Sequence, residues 1–309
     1  MGITKVGVFG VGSFGRHHAR IYRDLERSEL VGIYDIDADR AAQVAGLLGT
    51  RAFPSPETLL AEVEAVSIAT PTTTHASVAA MALSRGVHAL VEKPIAGEEK
   101  EADAIIDTAT ASGAVLAVGH VERFNPAFAE AARGFDRLRF FRSERLGTWA
   151  GANTNVDVVM DLMIHDLDLL TSLDPSSELE VDASGSKVLS SSLDIANARI
   201  LLESGAVAVL DASRLSAAKH RVVRLYSHDE YVSINLLNRR AERARAERGE
   251  TPSVAREKIP VPDHEPLREE LRAFLEEIAG RETRIASGED GRRALILAQA
   301  ITKSIECRH

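Results

Sequence analysis

The chain has 309 residues, of which 45% are hydrophobic and 27% are charged, with a formal net charge of −9. This length predicts two domains, and the acidic balance argues against a nucleic-acid-binding surface. The one cysteine, Cys307, leaves no internal disulfide or thiolate metal cluster, and neither a signal peptide nor an apolar run of ~18 residues is present, so we expect a cytoplasmic protein without membrane attachment.

The first 120 residues alternate short apolar runs with amphipathic helical stretches. The predicted strands of this region are Val6–Phe9, Leu30–Tyr34, Ala65–Ala69, Val87–Val91 and Val115–Val118. Short apolar strands separated by helices are typical of a parallel sheet that is covered by helices on both faces. Residues 1–120 are therefore predicted to form an α/β, doubly wound Rossmann domain that binds a nucleotide.

The remaining residues, 121–309, predict an α+β domain on one open-faced, mostly antiparallel sheet. The expected elements are a short helix over Pro126–Arg133, a strand over Leu138–Leu146, a helix over Val156–Leu173, five strands between Leu179 and Leu236, and helices near Leu267–Ala279 and Asp290–Glu306. The stretch from Asn238 to Glu257 interleaves arginines with glutamates, which favours an exposed loop over a nucleic-acid-binding arm.

A glycine-rich sequence follows the first predicted strand directly. It reads Gly10-Val11-Gly12-Ser13-Phe14-Gly15, and Asp35 comes twenty residues later at the end of the second strand. In a dinucleotide site the three glycines allow a tight turn, close approach of the pyrophosphate and close packing of the helix, while the carboxylate binds ribose. This order of strand, turn, helix and acid predicts a dinucleotide site, although a turn that binds nothing has the same glycines.

The identity of the dinucleotide is predicted from Asp35. With no arginine adjacent to it, a carboxylate here favours NAD over NADP, because it would repel a 2′-phosphate. Arg40 lies five residues further on, so NADP is the less favoured alternative.

Two further polar segments follow predicted strands of the first domain. In Thr70-Pro71-Thr72-Thr73-Thr74-His75 the hydroxyls and N–H groups are candidates for binding the cofactor, although the segment also suits a plain helix start with Thr74 as N-cap. In Glu92-Lys93-Pro94 the proline restricts the backbone at the carboxyl end of a strand, where ligands bind in such sheets. A lysine held there can polarise a substrate oxygen or donate a proton.

A third polar cluster lies in the predicted helix of the second domain. Asp161 and His165 are four residues apart and Asp168 is three further on, so all three are predicted to share one helix face. Carboxylates beside an imidazole can fix its tautomer and raise its basicity, whereas a surface salt network is the alternative. No further cluster of metal ligands accompanies them, so no metal is predicted.

These motifs, in this order, resemble the Gfo/Idh/MocA family of sugar oxidoreductases along nearly the whole chain. The resemblance implies a nicotinamide cofactor, held by Gly10, Gly12, Ser13, Phe14, Gly15, Asp35, Thr70, Pro71, His75, Glu92 and Lys93. It also implies a homodimer or homotetramer formed through the C-terminal sheet. Asp166 is an acid beyond the family pattern, and Val156–Val159 replaces a glycine-rich run.

The resemblance also implies roles in catalysis. His165 is expected to act as general base, Lys93 as hydrogen-bonding partner of the reacting hydroxyl, and Asp161 as substrate positioner. Arg123 and Asn125, in a stretch that resembles the family's domain crossover, are expected substrate contacts together with Asp161 and His165.

The expected reaction is hydride transfer between nicotinamide and a secondary alcohol of a sugar, cyclitol or nucleotide sugar. The wording from Asp161 to Asp168 resembles a subgroup that oxidises C3 of UDP-N-acetylglucosamine-like substrates. The alternatives are a Rossmann reductase acting on an amino acid or imine, and a regulator that binds NAD without catalysis.

Overall fold

The computed structural model describes residues 2–151, 156–249 and 251–307, and these fall into two compact units. The first comprises the chain up to Val121 together with Glu265–Arg292, and the second comprises Glu122–His264 and the chain from Arg293 onward. The sequence-based division at residue 120 placed 265–292 in the second domain. The structure groups this segment with the first unit, where Arg268 donates to the carbonyl oxygen of Asp24 at 3.0 Å.

The first unit is built on one sheet of seven strands. Its strands are β1 (Thr4–Phe9), β2 (Ser28–Tyr34), β3 (Arg51–Ala52), β4 (Ala65–Ile68), β5 (His88–Glu92), β6 (Leu116–Gly119) and β15 (Ala286–Ser287). Its helices are α1 (Gly15–Asp24), α2 (Ala38–Leu48), α3 (Pro56–Leu60), α4 (His75–Leu83), α5 (Glu99–Ser112) and α8 (Pro266–Ile278).

The strand order of this sheet is β15-β6-β5-β4-β1-β2-β3, and every pair is parallel except β15 with β6. The order therefore reverses between β1 and β4. Ligands of open α/β sheets bind at the carboxyl ends of the strands at such a point. The predicted doubly wound domain is confirmed.

The second unit is built on one sheet of eight strands, with order β14-β13-β12-β11-β7-β10-β9-β8. These strands are β7 (Phe140–Leu146), β8 (Glu178–Ser186), β9 (Ile195–Leu202), β10 (Val207–Ser213), β11 (His220–Tyr226), β12 (Glu230–Asn235), β13 (Arg240–Glu247) and β14 (Ser253–Ile259). The helices are α6 (Pro126–Ala132), α7 (Ile164–Leu173) and the last, α9 (Gly288–Glu306), which crosses the boundary between the units.

The sheet of the second unit is antiparallel except for the parallel pair β7 and β10. Alternate residues of its strands, such as Phe141 on β7 and Leu225 on β11, are fully buried with residues of α6, α7 and α9 in one apolar core. The predicted α+β architecture is thus confirmed.

The prediction of an exposed loop over Asn238–Glu257 is wrong. Most of that segment forms β13 and β14, which extend the sheet from β12, while Glu250 lies outside the described residues. Unlike charges stand opposite each other across the two strands, as in Arg243 with Glu257. Such cross-strand pairs and the backbone ladder stabilise a strand that carries too few apolar residues to be recognised from hydropathy.

The loop between β8 and β9 is held by one buried carboxylate. Asp194 accepts hydrogen bonds from the backbone N–H groups of Val188, Leu189 and Ser190 at 2.8, 2.7 and 3.0 Å. Although desolvation acts to raise it, the pKa of Asp194 is lowered well below its ordinary value by these bonds and by the Ser190 hydroxyl. Asp194 also lies 3.5 Å from Nε of Arg214.

Among the described residues, none of the helices has the length and apolar character that crossing a bilayer requires.

Candidate functional site

The glycine-rich turn between β1 and α1 has the geometry that close approach of a ligand requires. Gly10 adopts φ of 77°, and a Cβ at Gly15 would stand 1.7 Å from the carbonyl oxygen of Gly10. Around Gly12, in contrast, a Cβ would meet no described atom within 4 Å. The backbone at Gly12 therefore borders open space at the start of α1, which fits a pyrophosphate. Ser13 and Phe14 are the exposed residues that lead into α1.

The carboxylate of Asp35, at the end of β2, is nearly buried and closely bound. It accepts from the N–H of Val11 at 2.8 Å and of Asp37 at 2.9 Å, and Arg40 donates to both of its oxygens at 3.0 and 2.8 Å. Burial acts to raise the pKa of Asp35, but the bonds from Arg40 and the two backbone groups outweigh it and lower the pKa below its ordinary value. Asp35, the candidate for ribose binding, thus stays ionised beside Arg40, and this ion pair was not predicted from the sequence.

His75, at the start of α4, joins two backbone segments from the carboxyl edge of the sheet. Its Nε2 lies 2.9 Å from the carbonyl oxygen of Thr70, and its Nδ1 lies 2.8 Å from that of Pro94. His75 is 1% exposed, and both of its ring nitrogens contact backbone carbonyl oxygens. Its described contacts therefore hold the backbone of the site. The hydroxyl of Thr74 does not cap the helix but bonds Thr70 and the carbonyl oxygen of Pro71.

Glu92, the last residue of β5, pairs with a buried histidine of α1. Its Oε1 lies 3.0 Å from Nε2 of His18, and its Oε2 accepts from the backbone N–H of Lys93 at 3.2 Å. Burial acts to raise the pKa of Glu92, but the hydrogen bond with His18 and the charge of Lys93 lower it below its ordinary value. The Lys93–Pro94 peptide bond is cis. Hydrogen bonds hold the backbone on both sides of Lys93, because its own N–H donates to Glu92 and the carbonyl oxygen of Pro94 contacts His75.

Asp161 and His165 lie where two kinds of helix meet in the second unit. Residues Val159–Met163 form a π-helical turn and α7 follows from Ile164. Asp157 begins the turn by accepting from the N–H groups of Val159 and Met160 at 2.8 and 2.9 Å. Both predicted residues are partly exposed, as a substrate contact requires. Of the predicted helix over 156–173, the part before Val159 is not regular helix, and the segment that precedes it, 152–155, lies outside the described residues.

Two of the other site candidates have internal partners. Arg123 donates to both oxygens of Asp168 at 2.7 to 3.0 Å, and both side chains are buried. Asn125 caps α6 and donates to Glu122 and to the carbonyl oxygen of Leu236, each at 3.0 Å. Asp168, which is predicted to share one helix face with Asp161 and His165, is 0% exposed, and its carboxylate is bound to Arg123.

Asp166, the acid beyond the family pattern, belongs to a buried ion network. Nε and Nη2 of Arg145 donate to its two oxygens at 3.1 and 2.7 Å, and Nη1 of Arg145 donates to Glu122 at 2.9 Å. Arg221 lies 3.5 Å from the same oxygen of Glu122. Burial raises the pKa of Asp166 despite Arg145, whereas Arg145 and Arg221 outweigh burial at Glu122 and lower its pKa. We call Glu122, Arg145, Asp166 and Arg221 the ion network.

The predicted residues thus fall into two groups. The carboxyl edge of the first sheet brings together the glycine turn, Asp35, Thr70 and Lys93. Asp161, His165, Arg123 and Asn125 belong to the second unit.

The sequence reasoning missed His18 and Arg145. His18 comes three residues after the last glycine of the turn, and α1 buries it. Arg145 could have been found from strand alternation, since Phe141, Ser143 and Arg145 occupy the buried positions of β7. A buried arginine needs a buried acid as its partner. Asp166, the acid that the family pattern does not account for, is that partner.

Comparison with known proteins agrees with this geometry. A family model described as an oxidoreductase family with an NAD-binding Rossmann fold matches residues 4–120. UDP-N-acetylglucosamine 3-dehydrogenase of Acidithiobacillus ferrooxidans is 40% identical over 306 residues, which cover 98% of this chain and 97% of that protein.

The chain belongs to the Gfo/Idh/MocA family. A solved structure of the Acidithiobacillus enzyme superposes with a TM-score of 0.94 at 40% identity, covering 99% of both chains. Myo-inositol 2-dehydrogenase of Thermotoga maritima is 25% identical over 98% of this chain and 96% of its own. A levoglucosan dehydrogenase in complex with NADH and levoglucosan shares the fold, with a TM-score of 0.86 at 20% identity, covering 99% of this chain and 98% of that one. As a member of this family, the chain is an NAD-binding oxidoreductase of the sugar dehydrogenase type.

Proposed function

We propose that this protein oxidises the C3 hydroxyl of UDP-N-acetylglucosamine or a closely similar nucleotide sugar. The observation that carries the proposal is the 40% identity to a UDP-N-acetylglucosamine 3-dehydrogenase across nearly the whole of both chains. Lys93, Asp161 and His165 are all present in this chain, and the latter two are partly exposed.

The proposed reaction removes two hydrogens from the secondary alcohol, a hydride from C3 and a proton from its hydroxyl. A bound nicotinamide supplies the hydride acceptor, so the protein must position the alcohol and remove its proton. His165 takes the hydroxyl proton as general base, and Lys93 stabilises the developing charge on that oxygen. Asp161 positions the sugar. The ketone forms at C3 as the hydroxyl proton passes to His165 and the C3 hydrogen leaves with both bonding electrons to the oxidised nicotinamide.

Within the cofactor site we propose that the glycine turn and Asp35 bind the dinucleotide, with Thr70 and Pro71 beside them. Ser13 and Phe14 contribute the start of α1. His75 and Glu92 position the backbone of this site in place of contacting the dinucleotide, because their described hydrogen bonds go to backbone groups and to His18.

NAD is the proposed cofactor rather than NADP. Asp35 is ionised, and a 2′-phosphate beside it would meet a like charge. Arg40 offsets part of that repulsion, since it is bonded to both carboxylate oxygens and its side chain is 42% exposed. The dissociation constants of NADH and NADPH test this choice, and tighter binding of NADPH would overturn it.

We also propose that the protein assembles as a homodimer or homotetramer through its second sheet. The face opposite the helices carries half-buried aromatic side chains, with the rings of Phe140 and Tyr226 5.5 Å apart and those of Tyr226 and Tyr231 4.9 Å apart. Analytical ultracentrifugation tests this, and a monomer at micromolar concentration would refute it.

A substrate panel tests the proposed function. UDP-N-acetylglucosamine, free N-acetylglucosamine, myo-inositol, glucose 6-phosphate and a set of amino acids are each offered with NAD, and formation of NADH is followed by absorbance. We expect the highest kcat/KM for the nucleotide sugar. Turnover of amino acids alone would establish the reductase alternative, and binding of NADH with no turnover of any class would establish a regulator.

A further inference from the structure

Arg221 differs from Arg145, its neighbour on the helix-covered side of the second sheet. It stands directly opposite Arg145 in the register of β11 and β7, so both side chains leave the same face of the sheet. Arg145 is 2% exposed, whereas the side chain of Arg221 is 38% exposed.

The hydrogen-bonding capacity of these arginines is used very differently. Arg145 donates three bonds to Asp166 and Glu122, and Arg123 is bound to both oxygens of Asp168. Within the described ranges, the one polar contact of the Arg221 guanidinium is the 3.5 Å approach to Oε1 of Glu122. A guanidinium has five N–H donors, so most of those on Arg221 stay available to a ligand.

Glu122 has two hydrogen bonds that are shorter than its contact with Arg221. Its carboxylate accepts from Arg145 at 2.9 Å and from Asn125 at 3.0 Å, whereas Arg221 approaches it at 3.5 Å. The contact with Glu122 therefore holds one end of the guanidinium loosely and leaves its other donors unused by the described residues.

The ion network also places Arg221 with respect to the proposed general base. Arg145 binds Asp166, which directly follows His165 at the start of α7, and Glu122 bridges Arg145 to Arg221. The guanidinium of Arg221 therefore lies on the side of the sheet that carries α7, one strand away from the arginine that holds Asp166. Its planar fork suits two phosphate oxygens.

We propose that Arg221 binds the phosphate oxygens of the nucleoside diphosphate in the substrate and so selects nucleotide sugars over free sugars. This rests on the proposed function for the identity of the substrate. The same chemistry suits the phosphate of a simple sugar phosphate, and the experiment includes that source as a separate arm. Arg221 is a specificity residue here, with no part in moving the proton.

The experiment compares Arg221→Gln and Arg221→Lys with Arg133→Gln. Arg133 is a matched control because it also pairs with a glutamate, Glu130 at 3.1 Å, but lies on the surface after α6. Calorimetry of NAD-loaded protein measures the dissociation constants of UDP, uridine and glucose 6-phosphate. Unfolding midpoints verify that each variant is folded.

We expect Arg221→Gln to weaken UDP binding about 10- to 100-fold, the usual consequence of losing a charge-assisted bidentate contact. Uridine binding stays within about twofold, Arg221→Lys lies between, and Arg133→Gln matches the wild type. Stronger dependence on Arg221 for glucose 6-phosphate than for UDP would assign the residue to a sugar phosphate and overturn the diphosphate proposal. Equal losses for uridine and UDP, or for Arg133→Gln and Arg221→Gln, would also overturn it.

Turnover separates this inference from the proposed function. If the wild type binds UDP through Arg221 but does not oxidise UDP-N-acetylglucosamine, the proposed function fails and the inference stands. If the wild type oxidises it and Arg221→Gln keeps the same kcat/KM, the inference fails and the function stands. A wild type that does not bind UDP overturns the inference.

Discussion

The ion network makes a quantitative prediction for Arg145→Met. The substitution removes three hydrogen bonds of 2.7 to 3.1 Å and leaves Asp166, which is 2% exposed, without its cation. Glu122 keeps Asn125 and Arg221, so the main cost is the uncompensated charge of Asp166. Breaking a buried pair from one side costs about 3–5 kcal/mol, which we expect as the loss in free energy of unfolding at neutral pH.

The pH dependence of that loss tests its cause. The pKa of Asp166 is already raised in the folded wild type, and removal of Arg145 raises it further. A raised folded pKa stabilises the protonated form, so the variant is least stable at neutral pH and its deficit shrinks as the pH falls toward about 4. Urea unfolding followed by circular dichroism at about pH 7.5 and pH 5.5 measures both values.

The double variant Arg145→Met with Asp166→Asn is the control for this prediction. A neutral amide needs no cation, so we expect the double variant to recover at least half of the loss. A loss below about 1 kcal/mol, or the same loss at both pH values, would refute the account of the network.

Three other variants test separate parts of the molecule. Lys93→Ala should reduce kcat by about 10²–10⁴-fold and leave NADH affinity within about twofold, as fluorescence titration measures, whereas lost NADH binding would place Lys93 in the cofactor site. Gly15→Ala should weaken NADH binding at least about tenfold, because its Cβ would stand 1.7 Å from the carbonyl oxygen of Gly10, and an unchanged dissociation constant would contradict that geometry. Asp194→Ala should lower the free energy of unfolding by on the order of 2 kcal/mol at neutral pH, because an ionised acceptor of three backbone N–H groups is lost. Since the folded pKa of Asp194 is depressed, this difference should persist above about pH 4 and shrink in stronger acid, and a deficit that grew on acidification would be inconsistent with it.

The first sheet was predictable because its signals are local. β1, β2, β4, β5 and β6 each contain a short apolar run, and the glycines that follow β1 have steric reasons that can be read from their spacing, as at Gly15. Asp35 was found the same way, but its bond to Arg40 was not. Five residues along the chain separate the pair across the start of α2, and periodicity does not say which way an arginine side chain turns.

The parts that sequence reasoning missed depend on partners far along the chain. Five of the eight residues of β13 are charged, and only its register against β12 and β14 makes it a strand. Asp168 and Arg123 are 45 residues apart, so their buried pairing could not be recognised from helix spacing. The segment Glu265–Arg292 returns to the first unit for the same reason, since β15 pairs with β6 from a distant part of the chain.

The most direct test of the proposed reaction follows the hydrogen that leaves C3. UDP-N-acetylglucosamine carrying deuterium at C3 is incubated with NAD and the protein, and the NADH formed is analysed by mass spectrometry. Direct hydride transfer from C3 predicts NADH with one deuterium and a 3-keto product. NADH without deuterium, or no NADH from this substrate, would contradict the proposed function.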